Sequence, residues 1–173
     1  YDCDTLLLSV GLIPENELTR KADIEISPVT NGPKVNQYMQ TSAENIFACG
    51  NVVHVNDLAD NVSVESRRAG AYAARYAMGC LARETKRVEN MPGGNVRYLC
   101  PQSVSATDED ETVSLYFRVL HPDEKVIIRA KSGDKILSSK KAARVNPGEM
   151  EHIEIHTKDI EENEVTVEVV KEG

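Results

Sequence analysis

Residues 41–55, TSAENIFACGNVVHV, end a short apolar run at Gly50 and Asn51. The run Ile46–Cys49 reads as a buried strand. A strand that stops on glycine beside a polar residue lets backbone approach a ligand closely, because no Cβ intervenes. The chemistry predicted here is binding rather than bond-making. His54 follows at once in VVHVND. A lone histidine in a loop is more often structural or solvent-facing than catalytic, so no catalytic residue is assigned. Asp57 and Asp60 read as groups that solvate or brace this loop, and Arg67–Arg68 as a solvated helix face. Cysteines stand at 3, 49, 80 and 100, with no CxxC and no zinc-ligand pair among them. All four are expected to be idle thiols in a reducing cytoplasm. Cys49 lies in an apolar run without a basic neighbour to activate it, which argues against a redox role. His152 and His156 share one strand face, and a metal there would need ligands from elsewhere, so no metal is predicted.

The elements that must position Gly50 and Asn51 follow from the pattern around them. Thr5–Val10, TLLLSV, is a continuous apolar run that suits a strand buried on both faces. Asn31-Gly32-Pro33 is a turn signal between short extended pieces over residues 22–40. A helix is expected from about Ser63 to Arg83, capped by Asn61 or Ser63, with Glu65 in its first turn where the helix dipole favours negative charge. Ser66, Gly70, Ala73 and Ala77 make a stripe of small side chains that suits close packing of this helix on a sheet or another helix. Met91-Pro92-Gly93-Gly94 reads as a linker. Beyond it the period becomes two: Val113, Leu115, Phe117, Val119; Val126, Ile128, Ala130; Ile153, Ile155; Val165, Val167, Val169. Turn signals at His121-Pro122-Asp123, Ser132-Gly133-Asp134 and Asn146-Pro147-Gly148 separate these runs, as in an antiparallel sandwich or small barrel.

Three pieces in order resemble the last third of the flavin- and pyridine-nucleotide-dependent oxidoreductases, the family of thioredoxin reductase and the pyridine nucleotide-disulfide oxidoreductases. CDTLLLSVGLIPENEL resembles the closing strand of the inserted NAD(P) domain, VNQYMQTS the extended return segment, and Thr41 with Phe47-Ala48-Cys49-Gly50-Asn51 the second flavin motif. The resemblance implies an α/β FAD/NAD(P)-binding-domain fragment over residues 1–90, followed by an all-β sandwich-like domain over 91–173. It implies FAD held by Gly50, Asn51 and a helix N-terminus at Val62, Ser63 and Val64, with NAD(P) used by the parent protein. The family usually has Asp where this chain has Asn51, and often Asp where it has Asn36. The tail resembles that of longer NAD(FAD)-dependent dehydrogenase subunits.

Neither complete GxGxxG fingerprint is present, and Tyr1 leads directly into a strand-like run. The chain is therefore expected to be the C-terminal portion of an oxidoreductase and inactive alone. Its 173 residues, 40% hydrophobic and 28% charged, fit a globular protein, and no apolar run spans a bilayer. A net charge of −8 argues against nucleic-acid binding. A second reading stands beside the first: a non-catalytic interaction module whose β tail docks a partner oxidoreductase subunit or a second copy.

Overall fold

The computed structural model describes residues 2–7, 11–81, 86–106 and 110–172. In chain order they form helix α1 (Glu17–Lys21), a 3-10 turn (Gly50–Val52), helix α2 (Ala59–Ala77) and eight strands. The strands are β1 (Lys86–Pro92), β2 (Val96–Cys100), β3 (Ser103–Ala106), β4 (Thr112–Val119), β5 (Asp123–Ser132), β6 (Lys135–Val145), β7 (Glu151–His156) and β8 (Glu164–Lys171).

The strands build two sheets, ordered β3-β1-β8-β5-β6 and β2-β4-β7. Every pairing is antiparallel except β1 with β8. Alternation sends Val113, Leu115, Phe117 and Val119 inward from one sheet. Val126, Ile128 and Ala130 from β5 and Val165, Val167 and Val169 from β8 meet them from the other. The two sheets share one apolar core, compatible with the expected β domain, and the parallel β1–β8 pair departs from the all-antiparallel expectation. The three expected turns fall between β4 and β5, β5 and β6, and β6 and β7.

Four strands were not visible as alternation. The expected linker at Met91–Gly94 is a correction: Met91 and Pro92 lie in β1, paired with Thr166 and Val167 of β8. Its glycine is needed for closeness rather than flexibility, since a Cβ on Gly93 would stand 3.0 Å from the Val167 carbonyl oxygen. The first strand of the two sheets thus begins at Lys86. β6, KILSSKKAARV, is an edge strand whose charges hide its period and also blunt its free edge.

The first region differs more from expectation. Among its described residues there is no strand, only isolated bridges: Ile26 with Pro33, Asn36 with Ser103, Gln40 with Phe47. The expected strand Ile46–Cys49 reduces to that last bridge, and its residues are only partly buried. Thr5, Leu6 and Leu7 are exposed and not in a strand, while the remainder of the expected run, 8–10, lies outside the described residues. A strand buried on both faces needs neighbours on both sides, and the described chain places none there. The Asn31-Gly32-Pro33 turn forms, with Asn31 at φ 58° and Ser27 N–H donating to the Gly32 carbonyl at 2.8 Å.

Helix α2 starts four residues before Ser63 and stops at Gly79, which takes the left-handed φ of 68° that ends helices. Asn61 and Ser63 therefore lie inside it, and Leu58 is the N-cap residue, without a side-chain cap. The last residues of the expected helix, 82 and 83, fall outside the described residues. The small-residue stripe is not packed: Ser66, Gly70 and Ala77 are exposed, and a Cβ on Gly70 would meet nothing within 4 Å. The helix buries a different face, Glu65 and Ala69.

Candidate functional site

Gly50 is buried, with φ 70°, a conformation that favours glycine. It opens the 3-10 turn, and its carbonyl accepts from Val53 N–H at 2.9 Å. A Cβ at Gly50 would stand 3.1 Å from Val62 Cγ1. The glycine thus permits close approach, here of α2 to the turn. Three further contacts hold the turn. Asn16 Nδ2 donates to the Val52 carbonyl at 2.9 Å. Gly32 lies so near that a Cβ would be 1.9 Å from the Val53 carbonyl oxygen. Gly50 N–H donates to Glu65 Oε2 at 2.7 Å.

Glu65 is the centre of the brace. Its other oxygen, Oε1, lies 2.7 Å from His54 Nε2, and the two side chains are 5% and 1% exposed. One carboxylate therefore ties the start and the end of the turn to the second turn of α2. Burial by itself lowers the His54 pKa, but the adjacent Cys100 and Glu65 outweigh it and raise the value to about 11. His54 is thus a buried structural cation, held edge-on to Tyr98 and Tyr116 with ring centroids 6.0 and 6.3 Å away. The expectation that Glu65 meets the helix dipole in the first turn is corrected: it is the seventh residue of α2 and faces inward.

Asn51 is exposed. Its Oδ1 accepts from Asn56 N–H at 3.0 Å, and its Nδ2 carries no hydrogen bond among the described residues. Of the predicted helix-terminal residues, Val62 is half-buried against Gly50, while Ser63 and Val64 are exposed in the second turn. Ser63 Oγ donates back to the Ala59 carbonyl at 3.0 Å and caps nothing. The positive end of α2 is instead the turn beginning at Ala59. Asn36 has a local role, with Oδ1 accepting from the N–H groups of Tyr38 and Gln40 at 2.9 and 3.1 Å.

Asp57 braces its loop as expected, and it does so across the two regions. It pairs with Arg118 of β4 and accepts from Met150 N–H at 2.5 Å, and Arg118 also donates to the Val55 carbonyl at 3.0 Å. The expected return segment runs along the edge of β3: Val35 and Gln102 exchange two bonds, and the buried Gln37 amide exchanges two with the Ser105 backbone. A seam core of Val35, Met39, Val53, Ala69, Tyr98 and Cys100 joins the regions. His152 and His156 are exposed, and among the described residues no three His, Cys, Asp or Glu side chains cluster as metal ligands. All four cysteines are free. No helix among the described residues is long and apolar enough to cross a membrane.

Gly50, Asn51, Val62 and Ser63 line neither of two cavities among the described residues. A cavity of about 750 Å³ lies elsewhere, between Lys34, Asn36, Thr41, Tyr76 and Arg87. Gly50 N–H is taken by Glu65, whereas the Asn51 side chain is exposed and uses only its Oδ1 among the described residues. Sequence reasoning missed Glu65 as a brace and Cys100 as part of the seam. Their separations from His54, 11 and 46 residues, carry no recognisable spacing.

Residues 1–78 match the family Pyridine nucleotide-disulphide oxidoreductase. The match supports a flavin-dependent oxidoreductase type of function for that part of the chain, and it ends before β1. No curated protein and no solved structure matches the chain.

Proposed function

We propose that residues 1–78 complete the FAD domain of a cytoplasmic, NAD(P)-linked oxidoreductase, to which the sandwich is joined at its C-terminal side. The family match carries this reading. In such a protein FAD supplies the hydride chemistry, and the polypeptide binds and orients it. Gly50 and Asn51 form the near edge of the flavin site, with Val62, Ser63 and Val64 on the first two turns of α2 beside them. Asn51 Nδ2 donates to the cofactor's hydroxylated chain, and the start of α2 offers its positive end. The Glu65–His54 brace fixes both in advance of binding. The exposed stripe Ser66–Gly70–Ala77 and the exposed Leu6, Leu7 and Leu12 are surfaces that the rest of the flavin domain covers.

The test begins with the sequence encoded ahead of Tyr1. A strand-GxGxxG-helix there, in a polypeptide that purifies yellow and loses flavin when Asn51→Ala is introduced, supports the reading. An unrelated preceding domain and a colourless protein reject it. This 173-residue chain alone is expected to bind FAD weakly and to be inactive.

One observation favours the second reading, an interaction module. Gly50 N–H and Asn51 Oδ1 already have partners within the chain. In that case the sandwich docks a partner oxidoreductase subunit or a second copy. Sedimentation of the chain alone distinguishes these, since a monomer mass at high concentration removes the second copy.

A further inference from the structure

The cavity of about 750 Å³ lies at the C-terminal end of α2, between the β1–β3 edge and residues 40–44. It stands apart from Gly50: Val62, which meets Gly50, and Tyr76, which lines the cavity, are about 20 Å apart along the helix axis. Much of its polar lining is satisfied within the chain. Gln40 and Thr41 bond within their own segment, and Lys34 pairs with Glu25. Three groups keep open capacity among the described residues. Ser103 is 1% exposed, yet its hydroxyl borders the cavity and carries no hydrogen bond there. Arg87 gives its Nε to Glu89 Oε1 at 2.8 Å, which leaves both Nη groups as a planar two-donor edge. The β1–β3 register sets Glu89 opposite Ser103 and Arg87 opposite Ser105. Arg87 and Ser103 are therefore diagonal neighbours on one sheet face, about 7–8 Å apart and within reach of a long side chain. The third group is the exposed Glu44 carboxylate on the facing wall. Phe47 fastens that wall to α2 through Tyr76, with ring centroids 6.0 Å apart, and the negative end of the helix prefers a cation there.

We propose that this cavity binds a small zwitterion of about dipeptide size. Its carboxylate accepts from the Arg87 Nη edge and the Ser103 hydroxyl. Its ammonium meets Glu44 beside the end of α2, and its apolar body rests against Tyr76 and Leu81. The lining selects for both charges at once. Lys34 and Arg87 balance Glu25 and Glu44, so a polyanion gains nothing from the net field, whereas a molecule with one charge of each sign gains at both ends. The volume sets the size: about 750 Å³ lies within the range of small-molecule sites and holds about 25 waters, more than a single amino acid displaces. The site does not depend on the flavin reading, since it lies at the other end of α2 from Gly50.

The test titrates the isotope-labelled 173-residue chain with the dipeptide phenylalanyl-leucine, followed by amide chemical shifts. The N-acetylated and C-amidated forms, which lack the ammonium and the carboxylate in turn, are titrated beside it. Shifts at Gly79, Leu81 and Ser103 are expected to saturate with a Kd below about 1 mM, and each blocked form to bind about tenfold more weakly or worse. Arg87→Gln, at a half-exposed side chain, is expected to weaken the dipeptide about tenfold and to leave the amidated form unchanged, because that form has no carboxylate for the guanidinium to meet. Either blocked form binding as tightly as the free dipeptide overturns the proposal, since charge recognition at that end is then absent. So does a spectrum unmoved at about 10 mM dipeptide, or one whose shifts fall away from the cavity. These readings come from the unmutated chain and stand whether or not Arg87→Gln folds.

Discussion

The two regions of the molecule place their apolar residues in opposite ways. Among the described residues before β1, ten large hydrophobic side chains are exposed, from Leu6 and Leu7 to Tyr76 and Met78. In the sandwich there are three, Met91, Leu120 and Ile136. Most fully buried apolar residues lie in the sandwich, among them Val113, Leu115, Phe117, Ile128 and Ile155, with Tyr38 and Val53 the first region's members. The first region is held by the small seam core together with polar contacts: Glu65 to Gly50 and His54, Asn16 to Val52, Gln37 to Ser105. The sandwich satisfies its own core, whereas the first region is fastened to it and presents apolar surface outward.

The sharpest break of this comparison lies in the sandwich core. Phe117→Ala removes a fully buried ring between the sheets and is expected to cost about 3–5 kcal/mol, read from the urea midpoint. A loss below about 1 kcal/mol would place the stabilising core elsewhere.

The first region responds most at Glu65. Glu65→Ala leaves His54 as a buried, unpaired cation and frees Gly50 N–H, at an expected cost of about 3 kcal/mol. The same pair sets a pH dependence. The folded-state pKa of His54 is raised to about 11 from an ordinary 6.5. Its stabilisation is therefore complete below about pH 6.5 and is lost as pH rises toward 11. Subtracting the unfolding free energy of His54→Gln from that of the unmutated chain isolates this term, and the difference should shrink steadily from pH 7 to 10. A difference that grows with pH refutes the assignment.

The contrast between regions also decides what could be read from the sequence. Val113–Val119 and Val165–Val169 announce themselves because a half-buried strand carries its own period, whatever its neighbours. β6 does not, since an edge strand with Lys135, Lys140, Lys141 and Arg144 mixes solvent charge into the pattern. Leu6 and Leu7 carry the apolar signal of a buried strand without the burial, because hydrophobicity reports what a segment needs and not whether its partners are at hand. The start of α2 was misplaced because Leu58 is a cap with no side-chain cap bond, so the usual Ser or Asn signal pointed inside the helix. Gly50 was legible, as its lack of Cβ has a local consequence. Glu65 and Cys100 were not, because only the fold brings residues 54, 65 and 100 together.

The fastening between regions gives a smaller effect. Arg118 joins β4 to the loop through Asp57 and the Val55 carbonyl, with its side chain 13% exposed. Arg118→Ala is expected to cost about 1.5 kcal/mol, and more loosely docked residues 52–58 should exchange amide hydrogens faster. Unchanged exchange there would mean that the seam core, not this ion pair, sets the docking.

The smallest effect carries the most discrimination. Leu7 is 91% exposed and Leu12 65%. Replacing either by serine removes apolar surface that already faces water, so the unfolding free energy of this chain should move by less than about 0.5 kcal/mol. If the outward surface exists to meet another surface, the same substitutions act on association instead. The double variant Leu7→Ser, Leu12→Ser should sediment as a smaller average species than the unmutated chain at equal concentration. A loss of more than about 1 kcal/mol on serine substitution would show that Leu7 or Leu12 is buried in solution by the chain's own residues. The first region would then possess a core of its own, and the contrast with the sandwich would disappear.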